Sequence, residues 1–328
     1  MTAERPKESG MFRLLRRLGT GQKGGLGRLA KELCVGEDEL LRIVHEAQMY
    51  GAEICIDLLA RQLIWQCPFS LYEHSQILAA IRAEALPLLG DLKIFESIDS
   101  TNQYVREHGP KANLHGLCCL AEIQRCGRGR RGKSFQSPLG NIYLSVGWES
   151  TCDLLELGAL SLAMGVAVAK SLETVGAEVA LKWPNDIVYD SKKMAGILVE
   201  SERKGHSCTV VVGIGINVTL TPRHSDNDAW THVAKVVRRP IDRTLLVANL
   251  ISHVLSSLDL YDRMGFAAFR SQWNARHAMA GKRVSIEEQG KRPVVGVALD
   301  VDQHGALRLD IDGVVQSFVT GASSLRLV

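Results

Sequence analysis

Residues 126–135 read CGRGRRGKSF, and what lies on either side of them limits the fold. Gly127, Gly129 and Gly132 spell G-x-G-x-x-G, the spacing of a dinucleotide-binding turn. Such a turn needs a strand before it and a helix opening at its third glycine. The strand-like run LHGLCCLAEIQ, 114–124, precedes it. No helical pattern follows. Gly132 leads through KSFQSP into the β-type run NIYLSVGW, 141–148, and Pro138 opposes a helix there. The dinucleotide reading is rejected, and a P-loop reading with it. What remains is a loop between strands that can hold an anion. Its glycines let backbone approach a ligand, and Arg128, Arg130 and Arg131 offer forked donors for phosphate or carboxylate. An exposed basic loop with no specific ligand is the alternative that these residues leave open.

The 328 residues allow two or three domains. A net charge of +3 is too small to argue for nucleic acid by itself. Eight cysteines without a C-x-x-C pair point to a reduced, cytoplasmic protein rather than a disulfide scaffold. The opening MTAERPKESG has no apolar stretch and is not expected to be a signal peptide. The most apolar long segment, Leu154 to Val175, is broken by Glu156, Lys170 and Glu173 and reads as a buried core helix, so no membrane span is expected.

Met11 to Gly51 reads as three short helices, with a tight Cys34-Val35-Gly36 joint between the second and third. The β-type segment AEICIDLLARQLIW then suggests a winged helix. Ser70 is placed as the cap of a linker helix running to Leu89. Strands at 92–98, 114–124 and 141–148 surround the arginine loop. Residues 179–218 read as a meander whose tight turns force antiparallel pairing. Helices resume from about Leu245 to Trp273, and short strands after Gly281 suggest a small β-barrel. The expected fold is multi-domain α+β: a winged helix-turn-helix over 1–68, a mainly antiparallel α/β domain over 69–278, and a barrel over 279–328.

Further motifs give the loop a context. LKWPNDIV, 181–188, places Lys182, Asn185 and Asp186 where a strand meets a turn. A second turn delivers Lys192 and Lys193 before MAGILVE. ESIDSTNQY puts Ser100, Thr101 and Asn102 at a helix start, and GIGINV ends in Asn217. Singly, each has an ordinary explanation: a helix cap, a turn residue, a solvated charge. In this order, DSTN, Q-x-x-G-R-G-R-R-G, KWPND, K-x-A-G-I-L-V-E and G-I-G-I-N resemble the biotin protein ligases over residues 92–220. The flanking regions extend the likeness to that family's SH3-like C-terminal domain and to the winged helix of bifunctional members that also repress biotin operons.

The resemblance implies a catalytic domain related to class II aminoacyl-tRNA synthetases and a two-step reaction. Biotin and MgATP form biotinyl-5′-AMP; a lysine of the biotin carboxyl carrier protein of acetyl-CoA carboxylase then takes the biotinyl group. It implies Ser100, Thr101, Asn102, Gln124, Arg128, Gly129, Arg130 and Lys193 around biotin. Arg130, Arg131, Phe135, Lys182, Asn185, Asn217 and Trp230 would face ATP or the adenylate, with Phe135 where members often carry Trp. Arg128, Arg130, Lys193 and Asp186 would serve catalysis, Asp186 through Mg²⁺ or the incoming amine. It also implies a homodimer. Two other readings stand beside it: a lipoate or octanoate ligase, and a DNA-binding regulator that only senses an adenylate. For operator DNA, Arg28, Lys31 and Arg42 are the candidate contacts. The third helix nevertheless opens Glu37-Asp38-Glu39, which repels phosphate, and the segment after it lacks a basic wing tip.

Overall fold

The computed structural model describes residues 9–19, 23–109, 113–205, 207–219, 229–288, 292–319 and 323–328. The leader reading of residues 1–8 and the polar loop 221–228 before Trp230 lie outside the described residues.

The first unit has three helices, α1 (Gly10–Gly19), α2 (Leu26–Leu33) and α3 (Glu37–Met49). Strands β1 (Lys23–Gly25), β2 (Ile54–Asp57) and β3 (Gln62–Trp65) form an antiparallel sheet in the order β1-β3-β2. Phe12, Leu15, Leu18, Leu33, Leu40 and Trp65 fill the core between them. The joint turns because Cys34 takes a left-handed backbone (φ 58°) that closes α2, a conformation usual for glycine. Ile123 and Leu139 from the central sheet and its loop enter the same core, so the first unit is packed onto the central one.

The linker departs from expectation. Ser70 caps no helix. Only α4 (His74–Ala80) is α-helical, followed by a 3-10 turn at Leu86–Leu88 that contains Pro87. Ser70 instead offers its carbonyl to Arg243, 3.1 Å away.

The central sheet has seven strands: β4 (Asp91–Ile98), β5 (Leu117–Gln124), β6 (Ile142–Ser150), β7 (Ala180–Lys182), β8 (Asp186–Tyr189), β9 (Lys192–Lys204) and β10 (Ser207–Ile216). Their order is β4-β5-β6-β10-β9-β8-β7, antiparallel except for β4 with β5, which α5 (Thr101–His108) connects. One face packs on α6 (Leu160–Glu173) and α8 (Arg243–Met264), and α9 (Ala267–Ala275) packs against those two helices and the last unit. Leu144, Val146, Val210, Val212 and Ile214 point to that side and are buried. Cys118 and Cys119 go to opposite faces, as strand alternation requires. The α8 helix is long and apolar enough to cross a membrane by length and composition alone, yet its apolar residues form core with α6 and the sheet. A short helix, α7 (Val233–Val237), was not expected from the sequence.

The last unit has β11 (Arg283–Glu288), β12 (Val294–Val301), β13 (Leu307–Ile311), β14 (Val314–Phe318) and β15 (Ser323–Leu327), paired β14-β13-β12-β11-β15. The sequence pattern stops at β14; β15 is the addition. Among the described residues β14 and β15 do not pair with each other. Val284, Ile286, Ala298 and Leu309 belong to one continuous core with the central sheet.

A buried ion pair joins the linker to this framework. Arg243 Nη2 lies 2.7 Å from Glu122 Oε2, with both side chains 3% exposed or less. Glu122 also accepts from the Tyr72 backbone (2.7 Å), and the guanidinium stacks between Phe69 (4.5 Å) and Tyr72 (4.3 Å). Arg243→Ala strands the Glu122 charge. Urea denaturation should show a loss of about 3–5 kcal/mol in unfolding free energy.

His277 supplies a pH dependence. It is 8% exposed beside Trp273, and burial lowers its pKa to about 4. The unfolded chain therefore binds a proton more readily than the folded one between the ordinary value of 6.5 and about 4. Stability is full above 6.5 and should decline as pH falls through that window. His277→Phe should flatten this part of a denaturation profile.

Candidate active site

The opposite face of the central sheet carries a pocket of about 440 Å³. Its floor comes from β10. Alternation sends Gly213 and Gly215 to this side while Ile214 and Ile216 go to the core. A Cβ on Gly213 would stand 2.1 Å from Asn102 Oδ1, and one on Gly215 would stand 2.4 Å from the Phe135 ring. Both glycines are thus seats for other side chains. The period-two glycines of GIGINV are the sequence signal for this floor.

One wall is a hydrogen-bonded polar cluster. Ser100 caps α5, its Oγ accepting from Gln103 N at 3.4 Å. Thr101 donates from its backbone to Gln124 Oε1 (2.9 Å), and its Oγ1 lies 3.0 Å from the same oxygen. Gln124 Nε2 reaches Ser137 Oγ at 3.0 Å. Ser145 Oγ stands 2.7 Å from Thr101 Oγ1 and 2.6 Å from Asn102 Oδ1. Asn102 Nδ2 donates to Glu200 Oε2 at 2.8 Å. Ser137 and Ser145 were not anticipated, and Glu200, the last residue of K-x-A-G-I-L-V-E, had been given no role. The sign of Ser145 was a lone hydroxyl in the apolar run NIYLSVGW.

The arginine loop forms the lid. It is a hairpin in which Arg128 bridges Ser134, Gln124 bridges Ser137, and Phe135 N donates to Gly127 O at 2.8 Å. The letters Gly127 to Ser134 do satisfy the P-loop pattern G-x-x-x-x-G-K-S, so the pattern by itself does not exclude that reading. The fold does. Ser134 returns in the hairpin, and β6 comes next instead of a helix. Arg131 and Gly132 make the turn with left-handed φ of 59° and 70°. Arg128 donates to Gln103 Oε1 (3.2 Å), and Arg130 reaches across the pocket to Asn185 Oδ1 (3.1 Å). Burial, and then the adjacent Arg131 charge, lower the Arg130 pKa, with Asp186 opposing. An anion arriving here relieves that cost.

The third wall is the turn between β7 and β8. Asn185 is fixed by Ile197 on β9, through Nδ2 to the carbonyl (2.8 Å) and the Ile197 amide to its own carbonyl (3.0 Å). Lys193 Nζ lies 2.5 Å from Asp186 Oδ1 and 5.4 Å from the Trp230 ring centroid. Asp186 Oδ1 is buried and held by this ion pair. Trp230 is held in place because Lys193 exchanges backbone bonds with Ala229 and Thr231.

Of the expected residues, Ser100, Thr101, Asn102, Gln124, Arg128, Gly129, Arg130, Arg131, Phe135, Lys182, Asn185, Asp186, Lys193 and Trp230 all line this one pocket. Asn217 does not. It is buried, donating from its backbone to Met194 O (2.9 Å) and from Nδ2 to Thr231 O (3.3 Å), and so anchors the Trp230 segment. Leu325 and Arg326 of β15 complete the rim, a contribution from the last unit that the motifs do not announce. Among the described residues, Arg128, Arg130, Arg131, Lys133, Lys182, Lys193 and Arg326 face a single lining carboxylate, Asp186. Such a concentration of cations favours an anionic ligand.

The likeness to known proteins agrees. The model of the biotin/lipoate A/B protein ligase family matches residues 94–217. The bifunctional ligase/repressor BirA of Salmonella typhimurium is 35% identical over 79% of this chain and 81% of its own. The chain belongs to the biotin protein ligase family. The biotin–[acetyl-CoA-carboxylase] ligase of Mycobacterium tuberculosis is 35% identical over 62% of this chain and 76% of its own. Among solved structures, the Aquifex aeolicus biotin protein ligase in complex with biotin and ATP superimposes with a TM-score of 0.61. It is 24% identical, covering 73% of this chain and all of that one, and shows the shared fold.

The glycine seats give a structural prediction. Gly215→Ala should drive the Phe135 ring off β10, visible in a crystal structure, at about 1–3 kcal/mol of stability.

Proposed function

We propose that this chain is a biotin–protein ligase that activates biotin with ATP and transfers it to a lysine of a carboxyl carrier protein. The observation that carries this is the joining of the polar Thr101–Gln124 cluster and the cationic lid across one floor. Biotin's ureido ring suits the first and its carboxylate, with the ATP phosphates, the second. The names of the relatives favour biotin over lipoate.

Ser100, Thr101, Asn102 and Gln124 hold the ring; Arg128 and Gly129 close over the valeryl chain. Lys193 and Arg130 neutralise the carboxylate and the α-phosphate as the carboxylate oxygen attacks phosphorus and pyrophosphate leaves. Arg131, Lys182 and Arg326 take phosphate charge, Asn185 steadies Arg130, and Phe135 and Trp230 pack the adenine. Closure excludes water from the mixed anhydride. The acceptor amine then attacks the biotinyl carbonyl and AMP departs. Mg²⁺ fits as a companion of ATP. It needs few protein ligands beside phosphate oxygens, and Asp186, the one carboxylate among the described pocket-lining residues, would supply an oxygen in exchange for its ion pair with Lys193. Bound there, it would supply charge neutralisation at the phosphates.

The first unit we read as a winged helix over 1–68, the central one as a synthetase-like domain over 69–278, and the last as SH3-like over 279–328. Beyond its pairing with β8, which ends at Gly196, β9 keeps an open edge among the described residues. That edge suits a homodimer or the carrier's strand. All eight cysteines are free, which favours a cytoplasmic setting.

A second role in repression is favoured by the bifunctional relatives and opposed by charge. Glu37 pairs with Arg61 at the β2–β3 hairpin, Arg42 with Glu39, and Arg28 with Glu32, while Lys31 is exposed. Leu58 and Leu59, not basic residues, form the hairpin tip and are 73% and 101% exposed. Fluorescence anisotropy with promoter DNA and biotinyl-AMP decides it: a tight, salt-sensitive complex establishes repression, and none at low salt removes it.

Arg130→Ala should lower biotin-dependent ATP–pyrophosphate exchange by about 100-fold or more. Undiminished exchange would refute the assignment of the lid.

A further inference from the structure

We propose that a second groove, at the open edge of β9, seats the side chain of the acceptor lysine and delivers its amine to the biotinyl carbonyl. The inference rests on the ligase reading and deepens it by giving the acceptor its own way in.

While the mixed anhydride exists, the main pocket holds the biotinyl group and the nucleotide under the lid. The acceptor amine therefore needs another approach. A groove of about 240 Å³ provides one. Arg130 and Asn185 line both it and the main pocket, so their contact at 3.1 Å is the partition between the two. Beyond that partition the walls are Leu154, Leu157, Pro184, Leu198 and Val199. Arg130 is the one charged residue among the described residues that line the groove. Ser161 turns its Oγ to the Pro184 carbonyl, 3.1 Å away.

Apolar walls leave a departing pyrophosphate without donors along its path. They suit a lysine stem, four methylenes that pack on apolar surface behind a polar head. Arg130 at the inner end disfavours a second positive charge. It thereby favours the neutral amine, which is the nucleophile. The ammonium first gives one proton to water. The nitrogen pair then forms the amide C–N bond, and the bond from the carbonyl carbon to the phosphate oxygen breaks. AMP leaves with that pair, and the second proton passes to water.

The edge of β9 shows how the chain around the lysine is held. Asn185 takes up both backbone groups of Ile197, through Nδ2 to its carbonyl (2.8 Å) and through its own carbonyl to the amide (3.0 Å). Val199 and Ser201 follow at the same alternation and line the groove. Among the described residues they have no strand partner on that side. A strand of the carrier laid along them brings its lysine to the groove mouth.

Gly158 offers the test. A Cβ there meets nothing within 4 Å, so Gly158→Leu fills the groove from a position with open space. Full-length protein is assayed for biotin-dependent ATP–pyrophosphate exchange and for biotin transfer to a biotin carboxyl carrier protein. The bound adenylate is also cleaved with n-butylamine, a lysine stem without its protein, and with hydroxylamine, which is too small to need the groove. Gly158→Leu should keep exchange and hydroxylamine cleavage within about twofold, and lower both carrier transfer and butylamine cleavage by about tenfold or more. Ser201→Leu, on the β9 side of the groove, should show the same split. Undiminished transfer in both variants would overturn the proposal, as would equal losses of exchange and transfer in both. Lost carrier transfer with butylamine cleavage unchanged would also overturn it, since the groove would then dock the carrier without seating the lysine. Absence of biotin-dependent exchange in the parent protein is a separate result: it would overturn the ligase reading itself.

Discussion

A β-strand gives its side chains alternately to two faces, and the whole molecule hangs on how the central sheet uses that rule. On β10 the even-numbered residues from Val210 to Ile216 enter the helical core, and the odd-numbered Gly213 and Gly215 floor the pocket. The two jobs cannot be separated. A slip of one residue would expose the isoleucines to the ligand and bury the glycines against α8. The core thereby fixes the register, and the register places Asn102 over Gly213 and Phe135 over Gly215.

On that floor, charge and polarity are divided between two ends. The lid and the β7–β8 turn gather cations around one carboxylate, an arrangement that repels itself until an anion enters. The Thr101 end carries no cation in its hydrogen-bond chain; it is ordered by hydrogen bonds among hydroxyls and amides. Asp186, paired with Lys193, is the one anionic point among the described residues of the charged end.

The first and last units are not appendages to this centre. Arg243 on α8 ties Glu122 of β5 to the linker carbonyl of Ser70 and to the Phe69 and Tyr72 rings. The first unit's core takes in Ile123, the strand neighbour of Glu122. At the other end, Trp183 of the KWPND motif donates to Gly305 O at 3.2 Å, and β15 brings Arg326 to the rim. The β7–β8 turn is braced by the C-terminal sheet as well as by β9.

Most of the elements and many of the residues that line the pocket were legible in the sequence, because they depend on local chemistry. Turn residues, period-two runs and the arginine-glycine loop act over a few positions, and a strand instead of a helix after Gly132 excludes a dinucleotide turn. Ser70 was misread as a helix cap because its real partner, Arg243, is 173 residues away. Asn217 was misplaced because a strand end does not reveal which segment will close over it. Arg326 was invisible for the same reason, while Ser145 and Glu200 stood in quoted runs with nothing local to name their partners. The sequence by itself determined the elements, the loop and the kinds of side chain available for anions and amides. Only the tertiary structure decided which face each strand gives to the ligand and which buried groups pair across long separations. Those are set by packing among distant strands, where no local pattern carries the information.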